Sequence, residues 1–139
     1  MGINILIVDD NSMMRGFLEK FVKKEPAIEN VWTAENGKIA IDMALQYHPD
    51  VILTDIEMPV MDGLEELKEI KNLQRSGQLP ATIKVIVLSG TMFENDANVR
   101  KAKFLGAYQV LAKPDGKSMS FAIDGAKLIE TIKDAAQKK

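Results

Sequence analysis

Residues 51–63 read VILTDIEMPVMDG, and the change of character inside that stretch sets the fold. Val51–Thr54 reads as a short strand that stops at an acid, Asp55. Pro59 and Asp62-Gly63 are turn formers and mark a loop. Beyond them Leu64, Leu67, Ile70 and Leu73 recur on one stripe, which predicts a helix over Leu64–Leu73. Ser76-Gly77 and Pro80 break that helix. The unit is therefore strand, acidic loop, helix.

Working outward, the same unit repeats. On the N-terminal side Asn4–Val8 is a continuous apolar run, as expected for a strand covered on both faces. Ser12 is the expected cap of a helix carrying Phe17, Leu18, Phe21 and Val22, and Pro26 fits just past its end. Val31–Ala34 is a weaker strand, and Ile39–Tyr47 a helix stopped by Pro49. On the C-terminal side Val85–Leu88 is a strand ending at Ser89-Gly90, and Glu94–Leu105 a helix closed by Gly106. Tyr108–Ala112 is a strand ending at Lys113-Pro114, and Gly125–Ala136 is the last helix. Strand–helix alternation of this kind implies an α/β fold: one parallel sheet with helices on both faces. A single domain over residues 1–139 is expected.

Bulk composition excludes several classes. Eighteen basic residues against 20 acidic ones leave a net charge of −2, which is no electrostatic footprint for nucleic acid. There is no cysteine, so disulfides and thiolate metal sites are ruled out. No apolar run reaches the roughly 18 residues of a membrane span. Met1 leads straight into the first strand with no leader pattern, so the cytoplasm is the expected location.

Ligands of such sheets bind beyond the carboxyl ends of the strands. Those ends supply Asp9 and Asp10, Asp55, Ser89 and Lys113. Crowded carboxylates repel one another unless a proton, a cation or an ammonium intervenes. Oxygen ligands without cysteine or clustered histidine favour a hard ion, and Mg²⁺ is the natural choice. Lys113 is a point charge able to neutralise a carboxylate or a phosphoryl oxygen. Ser89 offers a hydroxyl to the same group, and Gly90 leaves room for a small phosphodonor or a water. The remaining nucleophile is an aspartate, and carboxylates do form aspartyl-phosphates.

The segments LIVDD (6–10), LTDIEMPVMDG (53–63), VIVLSG (85–90) and LGAYQVLAKP (105–114) resemble the four signature segments of response-regulator receiver domains. The resemblance covers the chain from about Asn4 to its end. It implies a flavodoxin-like sheet of order 2-1-3-4-5 and a regulatory phosphoacceptor domain rather than an enzyme, one that catalyses at most its own phosphorylation and dephosphorylation. Asp55 would accept a phosphoryl group from a histidine kinase. Asp10, Asp55 and the main-chain carbonyl of Glu57 would bind Mg²⁺, Asp9 would act through a metal-bound water, and Ser89 and Lys113 would contact the phosphoryl group. The downstream protein target would dock on the helix 4–strand 5–helix 5 face, with no nucleic acid and no membrane as partner.

Two further likenesses narrow the resemblance. DDNSMMR (9–15) is similar to a segment common in chemotaxis receivers, and KPDGKSMSFAID (113–124) resembles the long link in receivers of chemotaxis methylesterases. No methylesterase catalytic domain follows Lys139, so either a stand-alone regulator or an excised receiver is expected. One position departs from the pattern. Many receivers carry Tyr or Phe three residues before the strand 5 lysine, where this chain has Val110. Tyr108, two residues earlier, is expected to share a strand face with Val110, and coupling is expected to run through main-chain shifts after Ser89 or through Tyr108.

Other readings attach to the same residues. Asp9-Asp10 alone would read as a turn or a helix cap. A dehalogenase-like phosphohydrolase would place its nucleophile in a D-x-D-x-T/V segment after strand 1, where this chain has DDNS; a flavodoxin-type carrier would need a Ser/Thr-rich loop there. His48 before Pro49 suits a helix end, and the methionines, Met92 and Met119 among them, are gap-fillers. Trp32 is expected to be partly buried. Glu65, Glu66, Lys68, Glu69 and Lys71 read as a solvated helix face.

Overall fold

The computed structural model describes residues 2–90, 97–113 and 121–138. Strands and helices alternate along it: β1 Ile3–Val8, α1 Ser12–Lys23, β2 Ile28–Ala34, α2 Gly37–Tyr47, β3 Val51–Asp55, α3 Gly63–Arg75, β4 Lys84–Ser89, α4 Ala97–Phe104, β5 Gln109–Ala112 and α5 Phe121–Gln137. The strands form one parallel sheet in the order β2-β1-β3-β4-β5. The expected start of the fourth helix at Glu94, Met92, Pro114, Met119 and most of the link before α5 lie outside the described residues.

Side chains alternate across the sheet and build two cores. Leu6, Val8, Ile52, Val85, Val87 and Val110 face α2, α3 and α4. Ile5, Ile7, Val51, Leu53, Ile86, Leu88 and Leu111 face α1 and α5. The central strands are covered on both sides, which is why they read as unbroken apolar runs. Ile5–Val8, Val51–Leu53 and Val85–Leu88 are each 1% exposed or less. Each such side chain contributes about 1.5–3 kcal/mol of burial. Strand β2 lies at the edge and is only partly covered, so its sequence signal is weak and its start, Ile28, precedes the expected Val31.

Helix ends are set by local hydrogen bonds. Asn11, not Ser12, caps α1; its side chain accepts from the Met14 N–H at 2.9 Å, and Ser12 is the first helical residue. Asn36 caps α2 the same way. His48 closes α2 in a left-handed conformation, φ 49°, and donates its N–H to the Ala44 carbonyl at 2.9 Å. Asp62 and Glu65 form a reciprocal capping box on α3. Gly106, φ +100°, ends α4, with the Ala107 N–H donating to the Ala102 carbonyl at 3.1 Å. Helix α5 starts at Phe121, ahead of the expected Gly125. Trp32 is partly buried and stacks on Tyr47, with ring centroids 4.5 Å apart. No helix among the described residues is long and apolar enough to cross a membrane.

Two further expectations fail. Tyr108 does not share a face with Val110. It precedes β5, packs with the α1–α5 core, and donates its hydroxyl to Asp134 on α5, whereas Val110 is buried in the other core. Alternation holds only within a strand, and β5 begins at Gln109. Glu66 is not on a solvated face: it is fully buried. Its spacing from Gly63 and Ile70 puts it on the inner stripe of α3, and that stripe is what the sheet covers.

Candidate functional site

Strand order reverses between β1 and β3, and the crevice at such a switch point is where the strand ends converge. Asp9 and Asp10 follow β1, Asp55 ends β3, Ser89 ends β4 and Lys113 follows β5. All of them, with Glu57, line one cavity of about 610 Å³. Asn98 on α4 lines it too, a residue whose position no motif marked in advance.

The geometry is tight. The Lys113 ammonium lies 3.0 Å from Asp55 Oδ2 and 3.1 Å from Asp9 Oδ2. Asp9 Oδ2 is buried, with the Lys113 ammonium as its ion-pair partner. Asp9 Oδ1 accepts from the Asn11 N–H at 2.9 Å, and the Asp9 carbonyl accepts from Arg15 Nη1 at 2.6 Å. Asp55 Oδ1 accepts from the N–H of Ile56 at 2.8 Å. The Lys113 N–H donates to the Ser89 carbonyl at 2.9 Å, which ties the ends of β4 and β5 together.

Burial pushes the Asp55 carboxyl above its ordinary value, and the charge of Asp9 adds to that; Lys113 and the Ile56 N–H act against it. Burial pulls Lys113 down, but Asp55 and Asp9 outweigh it and hold the ammonium above its ordinary value. One ammonium faces three carboxylates, whose oxygens lie within 4.8 Å of one another. The cavity is left net negative. An all-oxygen donor set of this kind fits a hard divalent cation.

A family model described as the response regulator receiver domain matches residues 5–133. The chain belongs to this family. Receivers are the regulated modules of two-component signalling. This receiver is 37% identical over 134 residues to a protein-glutamate methylesterase/protein-glutamine glutaminase 2 of Koribacter versatilis, covering 96% of this chain and 35% of that one. The corresponding protein of Carboxydothermus hydrogenoformans is 34% identical over 138 residues, covering 99% and 37%. The receiver thus spans little more than a third of the length of the curated relatives it matches. Among solved structures, the response regulator domain of Thermotoga maritima CheB superposes with a TM-score of 0.82 at 31% identity, covering 100% of this chain and 99% of that one. The Vibrio cholerae chemotaxis response regulator CheY4 superposes at 0.76 with 25% identity, covering 97% and 99%. The flavodoxin-like order expected from the sequence is the order observed.

Proposed function

We propose that this receiver accepts a phosphoryl group on Asp55 from a histidine kinase in chemotaxis-type signalling, and then acts on a protein partner through its α4–β5–α5 face. The observation that carries the reading is the pinned nucleophile. Asp55 Oδ1 is held by the Ile56 N–H while Oδ2 lies against Lys113, in a cavity lined by Ser89. Receivers accept phosphate from histidine kinases, and the relatives named above support the chemotaxis setting. The cytoplasm is the compartment where such a donor would be met.

In the transfer an Asp55 carboxylate oxygen forms a bond to phosphorus. The bond from phosphorus to the donor nitrogen breaks, and the imidazole departs with the electron pair. With acetyl phosphate the bond that breaks is the one from phosphorus to the acetyl oxygen, and acetate departs with the electron pair. Lys113 is poised to exchange its contact with Asp55 Oδ2 for one with a phosphoryl oxygen, and the Ser89 hydroxyl is the second donor. Asp9 keeps the ammonium in place as the charge at Asp55 changes. Asp10, Asp55 and the Glu57 main-chain carbonyl would hold Mg²⁺, with Asp9 acting through water; bound there, the ion supplies positive charge to the phosphoryl oxygens.

The test is a mass measurement. With Mg²⁺ and acetyl phosphate the wild type gains one phosphoryl group, and Asp55→Asn, which is near-isosteric but not nucleophilic, gains none. A phosphoryl group mapped to the same peptide in Asp55→Asn would refute the assignment.

A further inference from the structure

The Asp55 chemistry leaves unexplained an ionisable side chain on α3. Glu66 is fully buried, and its Oε2 has no hydrogen-bond partner. Burying a carboxyl in that state is costly, and a leucine of similar volume would need no partner there. Its other oxygen, Oε1, lies 2.6 Å from the Thr54 hydroxyl. That hydroxyl also lies 3.0 Å from the main-chain carbonyl oxygen of Asp55. The Asp55 carbonyl and the Ile56 N–H belong to one peptide unit, and that N–H donates to Asp55 Oδ1 at 2.8 Å.

We propose that Glu66 is a positioning residue for the phosphorylation of Asp55, acting through the Thr54 hydroxyl and the Asp55–Ile56 peptide to hold Asp55 Oδ1. The proposal rests on Asp55 being the phosphoacceptor.

Donor counting gives the relay its direction. Thr54 has one hydroxyl proton and two oxygens within reach, so it donates to only one of them. Burial pushes the Glu66 carboxyl up to about 8, with the Thr54 hydrogen bond only partly offsetting it, so at neutral pH Glu66 carries a proton. The Thr54 hydroxyl donates to the Glu66 carboxylate, and protonation of Glu66 turns that 2.6 Å contact round so that the carboxyl donates to Thr54 Oγ1. Thr54 is then free to donate to the Asp55 carbonyl. A hydrogen bond on that carbonyl polarises the peptide and makes the Ile56 N–H a stronger donor to Oδ1. The relay therefore ends on the oxygen that Lys113 does not hold, and each Asp55 oxygen has its own anchor.

The experiment compares wild type with Glu66→Gln, Glu66→Leu, Thr54→Ser and Thr54→Val. Phosphorylation by acetyl phosphate with Mg²⁺ is followed by intact mass, and the Ile56 amide by ¹H–¹⁵N spectra. Gln and Ser keep the donors and should keep the wild-type rate. Glu66→Leu and Thr54→Val should each slow transfer about fivefold, the size of one net hydrogen bond, without raising the acetyl phosphate concentration for half-maximal rate. Both should move the Ile56 amide proton upfield, and the double variant should be no slower than either single one. Should Glu66→Leu fail to fold, the isosteric Thr54→Val against Thr54→Ser decides. A wild-type rate in Thr54→Val, or an unmoved Ile56 amide, overturns the relay alone. A wild type that takes no phosphoryl group on Asp55 overturns the phosphoacceptor reading and the relay with it.

Discussion

The first residue of α3, Gly63, packs directly on the backbone of Asp55: a Cβ at Gly63 would lie 2.1 Å from the Asp55 carbonyl oxygen and 2.9 Å from the Ile56 Cα. The Gly63 N–H donates to the Ile56 carbonyl at 2.7 Å. Helix α3 is thereby locked against the very peptide that positions the Asp55 carboxylate. The opposing atoms are backbone, so neither side yields cheaply.

Gly63→Ala should therefore displace the β3–α3 junction. The expected outcome is a loss of about 1–3 kcal/mol from overpacking and a large drop in phosphorylation by acetyl phosphate. Urea unfolding and intact mass check it. Wild-type stability together with a wild-type rate would show that the contact is not limiting.

Mg²⁺ should raise the melting temperature in the millimolar range, because it relieves repulsion among Asp9, Asp10 and Asp55. Asp10→Ala should abolish both that shift and phosphorylation. A melting temperature indifferent to Mg²⁺ in the wild type would count against the metal site.

Stability should fall as pH rises through the range set by Glu66. Its carboxyl is about 8 when folded, against 4.5 as the ordinary value. Between those values the folded state holds a proton that the unfolded state has released. Stability is then full below the lower value and is lost progressively toward the upper one, by a few kcal/mol at roughly 1.4 kcal/mol per pH unit. Glu66→Gln removes this slope. Denaturation at pH 5, 6.5 and 8 separates the cases, and parallel profiles for the two proteins would refute the prediction.

Val110 and Tyr108 should part company. Val110 is buried in the core beside Val87, its partner on β4, so Val110→Ala should cost about 1–2 kcal/mol from the cavity it leaves. Tyr108 sits on the opposite face with its hydroxyl bound to Asp134, so Tyr108→Phe should move the melting midpoint far less. Hydrogen exchange with and without beryllofluoride should show the same change around β4 and β5 in Tyr108→Phe as in wild type. Loss of that change would restore Tyr108 as the coupling element.

Much of this protein was legible in its residues alone. The central strands are covered on both faces, so Ile5–Val8, Val51–Leu53 and Val85–Leu88 had to be apolar, and their ends were visible where acids, Ser89 and Lys113 begin. Parallel pairing with short connections then leaves few topologies, and it gathers those ends at one edge. Facing and partnership were settled only by tertiary contacts. Glu66 stands among Glu65, Lys68 and Glu69, and its charge masked a spacing that places it beside Leu67 and Ile70 on the covered stripe. Tyr108 reads as strand, yet its N–H pairs with the Val85 carbonyl before β5 begins, and it ends up on the α5 side. The cap of α1 fell to Asn11 rather than Ser12: its N–H is bound to the Asp9 carboxylate and its side chain accepts from the Met14 N–H. Periodicity determines where an element lies. Which way a single side chain points depends on the residue at which the element starts, and hydrogen bonds at the element's end, local for α1 and between strands for β5, choose that residue.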